Sequence, residues 1–357
     1  MRTLILALAL LGPPASLAGG PGAGKGSPAA PLLEKGSQLF KQGDVAGALR
    51  AFDAAAKADP ADARPHYFRG VALEKQGEPR GAEAAYRAAL TRKADFAEAH
   101  NGLGTLLLEK NDVSGAVRAF EAAVKARPAY PEAFFNLGVA RDAQGGKADS
   151  VAAYREAARL KPAEASYRLN LGAALRRQGD VDGALATFRE ATRLSPKDAL
   201  TWMNLGMVQS DKKAYDEAAV SLERATKLKP DSALGWNRLG RVELRRGHAD
   251  QAVEAQERAC KLDPKSAPFA ADLCRGLVEK KETARAVTSC RNAVRLDGKN
   301  ALARYELGKA LVAKGDCAEA RAEMERFRAL PEVKAEAKVQ ADAIARSCRP
   351  PAGAARP

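Results

Sequence analysis

Five cysteines, Cys260, Cys274, Cys290, Cys317 and Cys348, carry the most reactive chemistry in this 357-residue chain. Thiols can hold zinc, attack a substrate or pair as disulfides. No two have the Cys-x-x-Cys spacing of a zinc site and no histidine stands at ligand spacing from them, so no metal is expected. The three histidines add little. His66 and His100 are 34 residues apart, His248 lies in a turn signal, and no histidine–carboxylate–nucleophile arrangement can be assembled. The run from Gly19 to Gly24-Lys25 approaches a phosphate loop, but Gly26 stands where a magnesium-binding hydroxyl is needed. Neither an enzyme site nor a cofactor is therefore expected. What remains is the chemistry of recognition. Asn136, Asn170 and Asn204 recur at 34-residue steps, and each amide can donate to and accept from a peptide backbone. Arg241, Arg275 and Lys309 recur at the same step and offer positive charge.

That step runs through the whole chain. Glycines stand at 36, 70, 104, 138, 172, 206, 240 and 308, with Cys274 in the missing slot. Twelve residues beyond each is a small residue: Ala48, Ala82, Ala116, Ser150, Ala184, Ala218, Ala252, Ala286 and Ala320. A large residue follows in most copies, at Phe52, Tyr86, Phe120, Tyr154, Phe188 and Leu222, and a second alanine stands three residues later, as at Ala55 and Ala89. Apolar residues recur at three- and four-residue steps within each half, the pattern of a one-faced helix. Gly43-Asp44, Gly179-Asp180 and Gly315-Asp316 break the middle of their units, and Pro60, Pro128, Pro162, Pro196, Pro230 and Pro264 close six of them. Each unit thus reads as a helical hairpin that can bury its face only by stacking on the next.

These residues resemble the tetratricopeptide repeat family, most directly at Trp202-Met203-Asn204-Leu205-Gly206 and Trp236-Asn237-Arg238-Leu239-Gly240. Nine units are placed, at 29–62, 63–96, 97–130, 131–164, 165–198, 199–232, 233–266, 267–300 and 301–334. Ala94 and Gly298 replace the closing proline, and Phe327 replaces an alanine. Residues 332–348 form a further helix pattern, with Val333, Ala337, Ile344 and Ala345 on one stripe, and read as a capping helix. The resemblance implies an all-α, right-handed superhelical solenoid whose first helices line a concave, peptide-binding surface.

Composition agrees. Aromatics are only 5% of the chain, which excludes a barrel or sandwich core of large side chains and favours close-packed, alanine-rich helices. At the N-terminus, Met1-Arg2, an apolar run from Thr3 to Leu11 and small residues around Ala18 have the layout of a signal peptide over 1–18. A flexible linker is expected over 19–30 and a disordered tail over 349–357. The mature chain is expected to be exported to the periplasm or secreted, and no stretch is long enough to span a membrane. The formal charge of +14 favours acidic partners. Nucleic acid is not expected, since export removes it and no stacking aromatics accompany the charge.

Within the repeat frame, Cys274 and Cys290 lie on the two antiparallel helices of unit eight, in the slots of the glycine and the large residue. Cys317 opens the last repeat helix and Cys348 ends the cap. Bridges Cys274–Cys290 and Cys317–Cys348 are expected, with Cys260 free; the alternative is five small buried hydrophobes. The groove is expected to hold the Asn136, Asn170 and Asn204 ladder, which Asn101 and Asn237, one slot earlier, do not extend. Tyr67, Phe135, Leu169, Met203 and Met207 should make it apolar early, and Arg241, Arg275 and Lys309 should make it basic late. The function expected is a scaffold that binds an extended, partly acidic peptide and helps to assemble a cell-envelope complex for pili, secretion or exopolysaccharide export. The alternative is a carrier for an acidic polysaccharide.

Overall fold

The computed structural model describes residues 27–348. The expected signal peptide (1–18), the tail (349–357) and residues 19–26 of the expected linker lie outside the described residues. Where that linker enters them it is ordered, contrary to expectation. Ser27 Oγ donates to Asp59 at 2.8 Å, Ala29 is fully buried, and a helix starts at Ala30 with Pro31 in its first turn.

The described chain is helical, with no strand among the described residues, and divides into two compact units, one ending at Leu194 and one starting at Ser195. The first unit stacks five hairpins: α1 (Ala30–Lys41) with α2 (Val45–Ala58), α3 (Arg64–Gln76) with α4 (Pro79–Arg92), α5 (Ala97–Glu109) with α6 (Val113–Ala126), α7 (Pro131–Gln144) with α8 (Lys147–Leu160), and α9 (Ala165–Gln178) with α10 (Val181–Leu194). The second stacks four: α11 (Ala199–Asp211) with α12 (Tyr215–Leu228), α13 (Ala233–Arg246) with α14 (Ala249–Leu262), α15 (Ala267–Glu279) with α16 (Thr283–Leu296), and α17 (Ala301–Lys314) with α18 (Cys317–Arg328). It ends in α19 (Ala335–Ser347). Within each unit, every second helix also packs on the first helix of the next hairpin.

Each hairpin turns through one residue with positive φ. Glycine takes that place in six turns, while Asn111, Lys213 and Lys281 take it with φ of 64°, 62° and 66°. Asp44, Asp112 and Asp180 then cap the second helix by accepting from the backbone N–H three residues on, at 2.7–2.8 Å.

The two helices of a hairpin meet at the glycine. A Cβ on Gly104 would lie 2.6 Å from a ring carbon of Phe120, whose side chain is fully buried. The ring fills the space that a side chain at 104 would claim, and burying it contributes roughly 2–3 kcal/mol. The small residues of the second helices, from Ala48 to Ala320 and including Ser150, are all fully buried.

A further regularity joins successive hairpins. The fourth residue of a unit reaches back six positions to a backbone carbonyl at the previous unit's end. Trp202 Nε1 donates to Pro196 O at 3.0 Å, Trp236 Nε1 to Pro230 O at 2.8 Å, His100 Nε2 to Ala94 O at 2.8 Å and Arg304 Nε to Gly298 O at 2.7 Å. Each satisfies a carbonyl left over where a helix stops. At His66 the matching carbonyl, Pro60 O, accepts instead from Arg92 Nε at 2.9 Å. Burial and the nearby Arg92 and Arg69 hold His66 below the usual histidine range.

The C-terminal end is cross-linked. Cys274 and Cys290 are bonded, with Cα atoms 4.9 Å apart, in the slots that glycine and a large residue occupy elsewhere. Cys317 and Cys348 are bonded, with Cα atoms 5.4 Å apart, and tie the start of α18 to the end of α19. The cap helix begins at Ala335 rather than 332. Val333, Ala337, Ala341, Ile344 and Ala345 pack over Met324 and Phe327 of the last hairpin. Cys260 is free and half-buried, and burial first, with Asp272, Glu257 and Asp263 nearby, pushes its thiol up to about 11.

Candidate functional site

The sequence points to the face of the first helices as the recognition surface, and the fold consumes much of what the repeat pattern puts there. Tyr67 and Phe135 are buried rather than groove-lining. Tyr67 packs against Phe96 and Tyr86 at centroid distances of 5.2 and 5.9 Å, and Phe135 against Tyr167 and Tyr154 at 5.1 and 5.7 Å. Each ring at this slot meets the ring on the second helix of its own hairpin and one at the start of the next, and such contacts contribute more than contact with water.

The asparagine column is not a ladder of free amides. Asn136 is buried, and its Nδ2 donates to Asn101 Oδ1 of the preceding unit at 3.0 Å. Asn170 Nδ2 donates to Ser166 O and Asn204 Nδ2 to Leu200 O, each at 2.9 Å and four residues back in its own helix. Asn136 and Asn170 belong to the first compact unit and Asn204 to the second. Each amide has given a donor to the fold, so the three do not present equal donors to a ligand. Leu169, Met203 and Met207 are half-buried.

The basic column divides. Lys309 is held at 2.9 Å by Glu306 and at 3.4 Å by Glu279, and Arg275 Nε lies 4.0 Å from Glu306. Glu306 is only 3% exposed, so these two cations serve first to neutralise a buried carboxylate. Burial is the largest single effect and opposes the charge on Lys309, but the hydrogen bonds and charges of Glu306 and Glu279 together outweigh it and raise its pKa. Arg241 is exposed, and no ion pair joins it to a carboxylate among the described residues. Arg245, one helical turn further along α13, is also exposed and without an ion pair among the described residues.

Arg241, Arg245 and Arg275 line one cleft of about 350 Å³ between α13 and α15, together with Leu244, Ala249, Asp272 and Glu279. Asp272 is buried and accepts from Asn237 Nδ2 at 2.9 Å. Burial raises the Asp272 pKa, while Asn237 and the charges of Arg241, Arg275 and Arg238 oppose the rise. Arg245, Asn237 and Asp272 were not among the expected site residues. The four-residue spacing of Arg241 and Arg245 was the available signal. The Asn237–Asp272 pair repeats the Asn101–Asn136 connection, with 35 residues between partners in both.

A second polar feature lies behind this face. Gln256 takes the slot that Phe, Tyr or Leu holds in earlier units, facing Gly240. It is fully buried, and neither its Nε2 nor its Oε1 has a hydrogen-bond partner among the described residues. No cluster of histidine, cysteine and carboxylates able to hold a metal occurs among the described residues, and no described helix is long and apolar enough to cross a membrane.

A tetratricopeptide repeat model matches residues 33–98, 70–131, 101–165, 135–199, 202–267 and 273–333. No curated protein matches the chain. Among solved structures, the Cut9–Hcn1 hetero-tetramer of the APC/C is similar over 81% of this chain and 57% of that one, at 21% identity and a TM-score of 0.52. PilF of Pseudomonas aeruginosa is similar over 60% of this chain and 96% of that one, at 19% identity and a TM-score of 0.52. YrrB, described as a TPR protein with an unusual peptide-binding site, is similar over 52% of this chain and 95% of that one, at 26% identity and a TM-score of 0.49. The first two likenesses are likenesses of fold.

Proposed function

This chain belongs to the tetratricopeptide repeat family, and on that premise we propose that it is a non-enzymatic scaffold which holds an extended, partly acidic peptide segment on the first-helix face of its second unit. The family's fold is that of a protein-interaction scaffold. The observation that carries the finer reading is the sequence of side chains along that face. Half-buried Met203 and Met207 are followed by exposed Arg241 and Arg245, neither of which makes an ion pair among the described residues. Stacked hairpins hold such a strip in place before a partner arrives, so less ordering entropy opposes binding. We further propose that the chain is exported through the apolar segment at its N-terminus and acts in assembling a cell-envelope complex.

Capture from an envelope extract tests this, with the wild type and Arg241→Glu/Arg245→Glu as baits. Replacing Arg275 or Lys309 would confuse the result, because it would leave the buried Glu306 carboxylate short of a counter-charge and destabilise the fold by itself. A protein held by the wild type and released by the variant supports the reading. Captured material that survives protease and yields to a polysaccharide lyase would favour the acidic-polysaccharide alternative, and equal capture by both baits would refute the site. For export, the N-terminal sequence of the protein recovered from the periplasm or medium is expected to start near residue 19. An intact Met1 on cytoplasmic protein would refute it.

A further inference from the structure

We infer that the cleft between α13 and α15 seats a single carboxylate side chain of the bound peptide, and that Asp272 is the positioning residue that sets the charge the cleft accepts. This rests on the peptide-binding reading above and goes further, by naming the group received and why one charge is preferred to two.

Size comes first. At about 350 Å³ the cleft is at the small end of ligand sites. It has room for a side chain and its carboxylate, and its charged lining favours a polar group over an apolar ring. Geometry comes next. Arg241 and Arg245 approach from α13 and Arg275 from α15, so cationic groups meet an entering group from two helices. A guanidinium matches a carboxylate with two parallel N–H···O bonds, and such pairs are the stronger kind of hydrogen bond. The apolar parts of Leu244 and Ala249 provide a surface for the methylenes that carry the carboxylate.

Charge then narrows the ligand. The charged residues lining the cleft are Arg241, Arg245 and Arg275 against Asp272 and Glu279. The lining therefore has a net charge of one positive. Glu279 and Arg275 are also engaged with Lys309 and Glu306 on α17. A monoanion neutralises the cleft, whereas a phosphate dianion overfills it. Asp272 is what holds the count at one. It is 8% exposed and fixed by Asn237, itself 3% exposed. It cannot swing out to make room, so its carboxylate stays as an internal counter-charge under Arg241 and Arg275.

The test is fluorescence anisotropy with the full chain and three labelled peptides of one length and spacing. They carry glutamate, glutamine or phosphoserine at the same positions. The wild type should prefer glutamate to both others. Arg241→Gln/Arg245→Gln should weaken the glutamate peptide about tenfold or more. Arg155→Gln/Arg189→Gln, an equal loss of charge at exposed positions on α8 and α10, should leave it within about twofold. Asp272→Asn, which keeps an acceptor for Asn237, should tighten phosphoserine binding more than glutamate binding and so reverse the preference. A purely structural Asp272 would lower all three affinities together, and that result would overturn its role. Equal binding of glutamate and glutamine peptides by the wild type would overturn the seat while leaving peptide binding intact. Binding of none of the three would overturn both.

Discussion

Replacing Gln256 by methionine should stabilise the second unit. The amide is fully buried with both polar atoms unpartnered among the described residues. Burying such a group without a hydrogen bond costs about 1–3 kcal/mol on mutational scales. The protein itself supplies the replacement. Met324 takes the same slot in the last hairpin, packed against Gly308 as Gln256 is packed against Gly240. Glutamine and methionine are close in volume, so the exchange adds little strain. A gain of about 2 kcal/mol in a unit of this size raises its melting temperature by roughly 4–8 °C. Both tryptophans of the chain, Trp202 and Trp236, lie in the second unit, so urea or thermal unfolding followed by tryptophan fluorescence reports on that unit alone. A Gln256→Met protein melting at or below the wild-type temperature would refute the reasoning, because it would mean that the amide has a partner worth keeping.

Further outcomes follow from the packing, the cross-links and one buried carboxyl. Gly104→Ala should destabilise the first unit by about 1–3 kcal/mol, since the new methyl collides with the buried Phe120 ring; unchanged circular-dichroism melting would contradict the close contact. Thiol labelling of the denatured, unreduced protein should modify Cys260 alone. Cys348→Ser, which opens a 31-residue loop worth about 4 kcal/mol of chain entropy, should give α19 fast hydrogen exchange, and unchanged protection would show that packing alone holds it. Burial raises the Glu74 carboxyl to about 7, although the hydrogen bond donated by Tyr86 Oη lowers it. The native state therefore binds the extra proton between about pH 4.5 and 7. Its contribution to stability is greatest below that window and falls through it by at most about 3 kcal/mol. Titration of the Glu74 carboxyl carbon by NMR should show the raised midpoint, and a midpoint near 4.5 would remove this pH dependence.

Much of the fold could be read from spacing, because the repeat writes the same constraint nine times. Gly104 against Phe120 and Gly138 against Tyr154 are one contact repeated, so a period implies a packing. The Cys274–Cys290 pair was readable for the same reason, as it stands in the slots of a contact already inferred. The recognition face was much less readable. Asn136, Asn170 and Asn204 share a register, yet one bonds across to Asn101 while the others bond within their own helices. Register gives a side chain's direction but not its partner. Arg275 and Lys309 look like Arg241 in the repeat, but Glu306 captures the first two and no carboxylate among the described residues pairs with the third. Which cation stays available depends on acids three residues away in its own helix and about 30 residues away in a neighbouring hairpin, a correlation that a column of like residues does not display.

The two cross-links would also alter the chain's response to mechanical load. Pulled from its ends, the oxidised protein cannot yield its full contour. The bonds bridge sequence separations of 16 and 31 residues, which withholds about 160 Å of extended chain. α18 and α19 lie wholly inside the larger closed loop, so tension passes from Cys317 to Cys348 without running along their backbones. The rest of the chain would lengthen turn by turn while its last helices remained out of the line of force.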